Sequence, residues 1–119
     1  MSLGITYVDG TVRGSTGREE HVRFLVDSGA RYTLLPHAVW QALELTPQRK
    51  VAFTLADGTV VERDVSECHL TLPQGAAHSP VILGEPQDEP LLGVVTLEIL
   101  GLVFNPFTRT LHPMRMLLA

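Results

Sequence analysis

Apolar and polar residues alternate along much of the chain, and this period of two predicts short β-strands. Two such runs, residues 3–13 and 20–26, flank the turn signal Gly14-Ser15-Thr16-Gly17. We therefore expect an N-terminal hairpin. Asp9-Gly10 is a rival turn, but we prefer the later one and interpret Gly10 as a bulge or a point of close packing.

The pattern continues after residue 31 with a short strand, a short helix and a second hairpin. The strand is expected at residues 32–35, and Pro36 then begins a helix that ends near Leu45. Two β-rich runs, 50–55 and 59–65, flank Ala56-Asp57-Gly58, and Asp-Gly is a strong hairpin signal.

The last third of the chain predicts further strands and a second helix. Strands are expected at residues 68–72 and 80–83, with a loop at 73–77 between them. The apolar spacing of residues 94–102 predicts a helix that ends near Gly101, and the apolar tail 111–118 is expected to be buried. The whole chain, residues 1–119, is thus interpreted as one mostly β domain with two short helices.

Composition excludes several classes of function. A net charge of -4, a single lysine and no basic cluster argue against a nucleic-acid partner. The longest apolar stretches are far shorter than a membrane span, so no membrane partner is expected. The only cysteine, Cys68, cannot form an internal disulfide, and the start Met-Ser-Leu-Gly does not resemble a secretory leader. We therefore expect a cytoplasmic location.

Asp27-Ser28-Gly29 is the stretch with the clearest candidate chemistry. It forms a short loop between two apolar strands, and Gly29 allows the chain to bend there. Taken alone, the motif is typical of a polar β-turn whose side chains satisfy local backbone donors. Its apolar flanks place the carboxylate on a short loop between core strands, which favours a functional role for Asp27.

Other chemistry-bearing residues lack such a context. The five histidines show no ligand spacing, so no metal and no cofactor are expected. Cys68 lies in a strand pattern, which indicates a buried and inert thiol. Ser28 lacks the Gly-x-Ser-x-Gly elbow of a serine hydrolase, and Asp57 is interpreted as a turn residue. A hydrolase that uses Ser28 or Cys68 is therefore disfavoured.

The order of these elements resembles the retropepsin-like aspartic proteases, most closely their small single-lobe prokaryotic members. Phe24-Leu25-Val26-Asp27-Ser28-Gly29-Ala30 is similar to the catalytic segment of that family, and Leu91-Leu92-Gly93 matches its hydrophobic-hydrophobic-Gly element. The resemblance implies a closed β-barrel-like acid-protease fold with one lobe per chain, and it implies hydrolysis of peptide bonds.

The resemblance also implies roles for individual residues. Asp27 would be the catalytic acid, while Ser28, Gly29 and Ala30 would support the loop and contact the substrate backbone, with Ser28 also bonding across a subunit boundary. The hairpin at residues 51–65 would be the flap, with its tip at Ala56-Asp57-Gly58. Arg31 and Val94 depart from the retroviral pattern, which has an acid and an arginine at these positions. The charge pair that braces retroviral dimers is thus missing.

Aspartic proteolysis uses two facing carboxylates that share one proton. The chain contains one Asp-Ser-Gly, so the resemblance implies a homodimer in which a two-fold axis brings two Asp27 residues together on a peptide substrate. The competing interpretation is a non-catalytic dimerisation or peptide-binding module on the same fold.

Ala30 bears on the working pH that the resemblance implies. Pepsin-like relatives commonly carry a hydroxyl residue after the motif glycine, and this hydroxyl can donate to the catalytic carboxylate. Because alanine has no such donor, we expect a pH optimum above that of a stomach-type protease.

Overall fold

The structure is a computed structural model, and it describes residues 5–115 and residue 118. Nine strands and two short helices lie within these residues. In chain order they are β1 (Tyr7–Arg13), β2 (Glu19–Val26), β3 (Thr33–Leu35), α1 (His37–Ala42), β4 (Arg49–Thr54), β5 (Val60–Leu72), β6 (Gly75–Leu83), β7 (Leu91–Leu92), α2 (Val94–Ile99), β8 (Leu102–Asn105) and β9 (Thr110–Pro113).

Seven of these strands form one sheet in the order β1-β2-β7-β3-β6-β5-β4. Because β1 also pairs with β5, the sheet curls back on itself into a barrel-like shape. Strand β4 pairs antiparallel with the first part of β5, and the two strands form a hairpin. The strands β8 and β9 form a separate two-stranded hairpin. This mostly β, barrel-like fold with two short helices confirms the fold class expected from the sequence.

The N-terminal hairpin turns at residues 14–18, as the sequence predicts. The two strands β1 and β2 pair in continuous antiparallel register from Tyr7 opposite Leu25 to Arg13 opposite Glu19. Gly10 lies within this regular register, so it is not a bulge. A Cβ atom at Gly10 would lie 2.9 Å from Cδ2 of Leu72, which shows that the glycine is needed for close packing.

Strand β5 is longer than the sequence suggested. The predicted strands at 59–65 and 68–72 are one continuous strand of 13 residues, and the predicted loop at 73–77 is a tight turn before Gly75. The reason is that β5 pairs with β6 from Val65 to Leu72, while its ends also pair with β4 and β1. These long-range pairings keep the backbone extended through Ser66 and Glu67.

Both helices are shorter than expected. Helix α1 ends at Ala42, and Glu44 then adopts a left-handed conformation with φ of 55°. Helix α2 ends at Ile99, and Gly101 has φ of 69°, so the chain turns there and Leu102 begins a strand. The predicted stop near Gly101 is therefore confirmed, but residue 102 is not helical.

The single chain leaves most of the described residues of the tail 111–118 exposed, so the expected burial of this tail stays a prediction for a dimer. Leu111 and Met114 are half-buried, while His112, Pro113, Arg115 and Leu118 are exposed. Residues 116, 117 and 119 lie outside the described residues. The exposed apolar side chains Val103 and Phe107 lie on the preceding hairpin. Apolar surface is thus left uncovered at this end of the isolated chain.

The hydrophobic core fills the inside of the curled sheet and anchors both ends of the Asp27 loop. Phe24 and Val26 are buried just before the loop, and Thr33 and Leu35 are buried just after it. Full burial of each large apolar side chain contributes about 1.5–3 kcal/mol to stability. The loop is therefore short and held at both ends by well-packed strands.

Candidate active site

Asp27 follows the buried end of β2, and its backbone and side chain are both fixed by hydrogen bonds. Its N–H donates to the carbonyl of Leu92 at 3.1 Å, and its own carbonyl accepts from the N–H of Ala30 at 3.1 Å. The carboxylate oxygen Oδ1 accepts from the N–H of Gly29 at 2.9 Å. Asp27 is half-buried, whereas Ser28 and Gly29 are exposed. The loop thus presents a fixed carboxylate with access to solvent.

The element Leu91-Leu92-Gly93 packs directly against this loop. Strand β7 lies between β2 and β3, parallel to the first and antiparallel to the second. In this arrangement Leu92 lies beside Val26, and Leu91 lies beside both Leu25 and Leu34. The structure therefore brings together the two motifs on which the sequence analysis depended, although they are far apart in the chain.

Gly93 allows helix α2 to begin against the backbone of the loop. The N–H of Val94 donates to the carbonyl of Ala30 at 2.9 Å, and the N–H of Val95 donates to the carbonyl of Arg31 at 2.8 Å. A Cβ atom at Gly93 would lie 2.4 Å from the carbonyl carbon of Tyr32, which is too close for any side chain. Only glycine permits this approach.

A buried chain of three hydroxyl groups supports the same region, and the sequence analysis did not find it. Thr33 Oγ1 accepts from the N–H of Gly93 at 3.0 Å and lies 2.6 Å from Oγ1 of Thr96. Thr96 Oγ1 lies 2.8 Å from Oγ of Ser79, which donates to the carbonyl of Pro80 at 3.1 Å. These hydrogen-bonded hydroxyl groups connect β3, α2 and β6 within the core. The available signal in the sequence was the presence of Thr33, Ser79 and Thr96 at positions where the pattern of each segment calls for an apolar residue.

The hairpin of β4 and β5 has the turn that the sequence predicts. The N–H of Leu55 donates to the carbonyl of Thr59 at 2.7 Å, and Gly58 has φ of 86°. Asp57 accepts from the N–H of Thr59 at 2.9 Å, and hydrogen bonding to Thr59 lowers the pKa of the Asp57 carboxyl. These contacts confirm Asp57 as a turn residue. The tip at Ala56, Asp57 and Gly58 is exposed.

A mainly apolar cleft of about 400 Å³ lies between the Asp27 loop and this hairpin. Gly29 and Ala30 border it on the loop side, and Phe53, Thr54 and Leu55 border it on the hairpin side. The other lining residues are Arg31, Tyr32, Leu34, Val61, Arg63, Ile82 and Leu91. The rings of Tyr32 and Phe53 meet edge to face at 5.9 Å, so the hairpin packs against the loop. The tip residues 56–58 do not line the cleft.

A second apolar surface, called here the Ser28 face, lies on the other side of the loop. It surrounds a cavity of about 180 Å³ whose lining includes Ser28, Val94, Leu97, Leu102 and Met114. Glu98, Val103 and Phe104 also line it, and the side chain of Val103 is 49% exposed. Ser28 therefore lines this apolar cavity, whereas its neighbour Gly29 lines the cleft.

The remaining candidates show no catalytic arrangement. Cys68 is buried, and this burial raises the pKa of its thiol to about 12, so the thiol stays protonated and unreactive. His78 lies 3.3 Å from Glu67 in an exposed pair. Residues 5–115 and 118 include no group of three or more His, Cys, Asp or Glu side chains that could hold a metal ion. In the same residues, no helix is both long and apolar enough to cross a membrane.

Comparisons with known proteins agree with this geometry. A family described as aspartyl protease matches residues 7–96, a range that contains both the Asp27 loop and Gly93. Among solved structures, the solution structure of simian foamy virus (mac) protease has a TM-score of 0.58 and 19% sequence identity, and the match covers 80% of this chain and 94% of that chain. This likeness shows a shared retropepsin-like fold. No curated protein matches the sequence. The family match establishes that the chain belongs to the aspartyl proteases.

Proposed function

We propose that this chain is an aspartic endopeptidase that hydrolyses peptide bonds with a water activated between Asp27 and the partner's Asp27. The observation that carries the proposal is the position of Asp27, half-buried on a short braced loop that borders an apolar cleft. The cleft is of a size and polarity suited to the side chains of a bound peptide. No metal or cofactor is part of the proposal.

The chemistry requires a second carboxylate, and a second copy of the chain supplies it. The sequence contains one Asp-Ser-Gly, so a two-fold axis beside the loop would place the two Asp27 carboxylates face to face. In that arrangement one carboxyl is protonated and the other is ionised, which are the two forms that the reaction requires.

The Ser28 face supports this dimer. Apart from Ser28 and Glu98 its lining residues are apolar, it borders the Asp27 loop, and Val103 exposes about half of its surface. Contact between two copies through the same face would cover this surface and bring the two loops together. Exposed Ser28 would then lie at the subunit boundary.

In the proposed reaction, the ionised carboxylate accepts a proton from water and the protonated one donates toward the carbonyl oxygen of the substrate. The water oxygen bonds to the carbonyl carbon, which forms a tetrahedral intermediate. The C–N bond then breaks as the leaving nitrogen takes the proton that the first carboxyl accepted from water. As the carbonyl double bond reforms, a hydroxyl group of the intermediate returns a proton to the other carboxylate, so the pair again holds one proton. Side chains of the substrate would pack in the cleft, against Phe53 and Leu55 of the hairpin.

The second candidate is a non-catalytic dimerisation or peptide-binding module. One observation favours it: Oδ1 of Asp27 accepts from the N–H of Gly29, which is the bond that an ordinary polar turn makes. Such a module would use the cleft and the Ser28 face but would not require an ionisable pair. It would bind peptides and leave them intact.

Titration with a pepstatin-like inhibitor tests the shared site. If two chains build one site, inhibition and calorimetric binding should both end at one inhibitor per two chains. A ratio of one inhibitor per chain would contradict the shared site, and peptide binding without any hydrolysis would favour the module.

The cytoplasmic location stays a prediction.

A further inference from the structure

Arg31 brings a positive charge to the cleft beside the Asp27 loop. It is among the cleft-lining residues, and its side chain is exposed. Within the part of the chain that the structure describes, no hydrogen bond or ion pair engages its guanidinium group. The charge is thus available to a bound ligand.

The other cation of the cleft is already compensated. Nη1 of Arg63 lies 3.1 Å from Oε1 of Glu85, which is outside the cleft. None of the lining residues is acidic. The cleft therefore retains one uncompensated positive charge, although the chain as a whole has a net charge of -4.

The backbone of Arg31 is fixed relative to Asp27. Its carbonyl accepts from the N–H of Val95 at 2.8 Å, and the next residue, Tyr32, packs on Phe53. The backbone from which the guanidinium group extends is therefore held in a fixed position relative to the Asp27 loop. A ligand group that pairs with Arg31 would have to lie at a defined number of residues from the scissile bond.

We propose that Arg31 selects an acidic side chain in the bound peptide, close to an apolar residue that packs in the cleft. This inference rests on the proposed function. A guanidinium group pairs well with a carboxylate because two parallel N–H···O bonds can form. The apolar part of the lining, which includes Leu34, Ile82 and Leu91, would hold the neighbouring side chain.

The proposed dimer makes this preference symmetric. Each protomer contributes one Arg31, so the two guanidinium groups lie on opposite sides of the two-fold axis. An acidic residue would thus be favoured at matching distances on either side of the scissile bond.

Binding to the Asp27→Asn variant tests the inference without requiring hydrolysis. Fluorescence anisotropy would compare labelled peptides that carry Glu or the near-isosteric Gln at successive positions around a Leu-Phe pair. At low salt, Glu at the favoured positions should tighten binding about fivefold, and added salt should reduce the difference. In this background Arg31→Gln should remove the Glu preference, and Arg31→Lys should keep part of it.

Arg18→Glu is the matched control for Arg31→Glu, because both change the net charge by two. Arg18 follows the turn of the β1–β2 hairpin and does not line the cleft. Arg31→Glu should reverse the ratio of Glu to Gln affinity, whereas Arg18→Glu should leave it unchanged. The inference would be overturned by equal affinity for the Glu and Gln peptides at all positions or by no measurable binding. It would also be overturned if Arg31→Gln left the ratio of Glu to Gln affinity unchanged. Absence of hydrolysis by the wild type, with the Glu preference intact, would overturn only the proposed function.

Discussion

Gly93 and Tyr32 lie so close together that a Cβ atom on Gly93 would be 2.4 Å from the carbonyl carbon and 2.5 Å from the carbonyl oxygen of Tyr32. Both are backbone atoms, so no side-chain rotation can relieve the contact. This approach allows the start of α2 to bond to the loop that carries Asp27. The glycine of the Leu91-Leu92-Gly93 element is therefore required by the geometry of the site.

The first prediction is that Gly93→Ala destabilises the protein by about 3 kcal/mol, because the added methyl group forces the loop and helix apart. Thermal and urea unfolding measure the effect. Gly17→Ala is the comparison, since a Cβ there meets no atom within 4 Å and only its φ of 85° is unfavourable. It should cost about 1 kcal/mol. Equal losses in the two variants would contradict the steric account of Gly93.

The buried hydroxyl chain leads to the second prediction. Thr96→Val keeps the shape of the side chain but leaves the hydroxyl groups of Thr33 and Ser79 without their shared partner. The free energy of unfolding should fall by about 1–3 kcal/mol. Thr96→Ser, which retains a hydroxyl, should lose less. Thr71→Val, at an exposed strand position, should change stability by no more than about 0.5 kcal/mol. A Thr96→Val variant as stable as wild type would show that the buried hydroxyl groups contribute nothing to the free energy of unfolding.

Cys68 provides a prediction about alkaline pH. Because burial raises the pKa of the thiol from 9.0 to about 12, the folded state keeps a proton that the unfolded state releases above pH 9. The unfolded state then binds fewer protons, so the contribution of Cys68 to stability is intact below pH 9 and is lost as the pH rises toward 12.

Urea unfolding of wild type and Cys68→Ala across this range measures that contribution. The stability difference between the two proteins should decrease steadily above pH 9. At pH 8 a thiol reagent should label Cys68 only after denaturant is added. Rapid labelling of the native protein would contradict a buried, protonated thiol.

The sequence predicted the features of the fold that depend on local chemistry. The turns at residues 14–17 and at Asp57-Gly58 were predictable because glycine takes positive φ at Gly17 and Gly58. The Asp27 loop was recognisable from its apolar flanks, and the Leu91-Leu92-Gly93 element was recognisable only from the family resemblance. The contact between the two is a property of the folded chain.

Features that depend on long-range pairing were missed. Strand β5 continues through Ser66 and Glu67 because β6 pairs with it there, and the local pattern contains no record of that partner. The hydroxyl chain was missed for a similar reason, since Thr33, Ser79 and Thr96 come from three distant segments. The apolar tail 111–118 suggested burial, but Leu118 is exposed in the single chain.

The dimer has its own prediction. Val103→Glu places a charge on the Ser28 face at a side chain that is 49% exposed, so the fold of the single chain should tolerate it. Burying that charge in a dimer would be costly, and we expect the variant to be monomeric and inactive. Sedimentation velocity at micromolar concentration measures the mass, which should be twice 13.0 kDa for wild type. Thr71→Glu, on another exposed strand surface, is the control. A wild-type monomer with full peptidase activity would contradict the shared site.

The central claim is that Asp27 supplies the catalytic carboxylate, and kcat/KM of the Asp27→Asn variant on a peptide substrate tests it most directly. Asparagine has nearly the same shape and can still accept from the N–H of Gly29, so the loop and the dimer should persist in circular dichroism and sedimentation. We expect kcat/KM to fall about 1,000-fold or more, because the pair can no longer share a proton. Turnover near the wild-type level in a folded, dimeric Asp27→Asn variant would contradict the account.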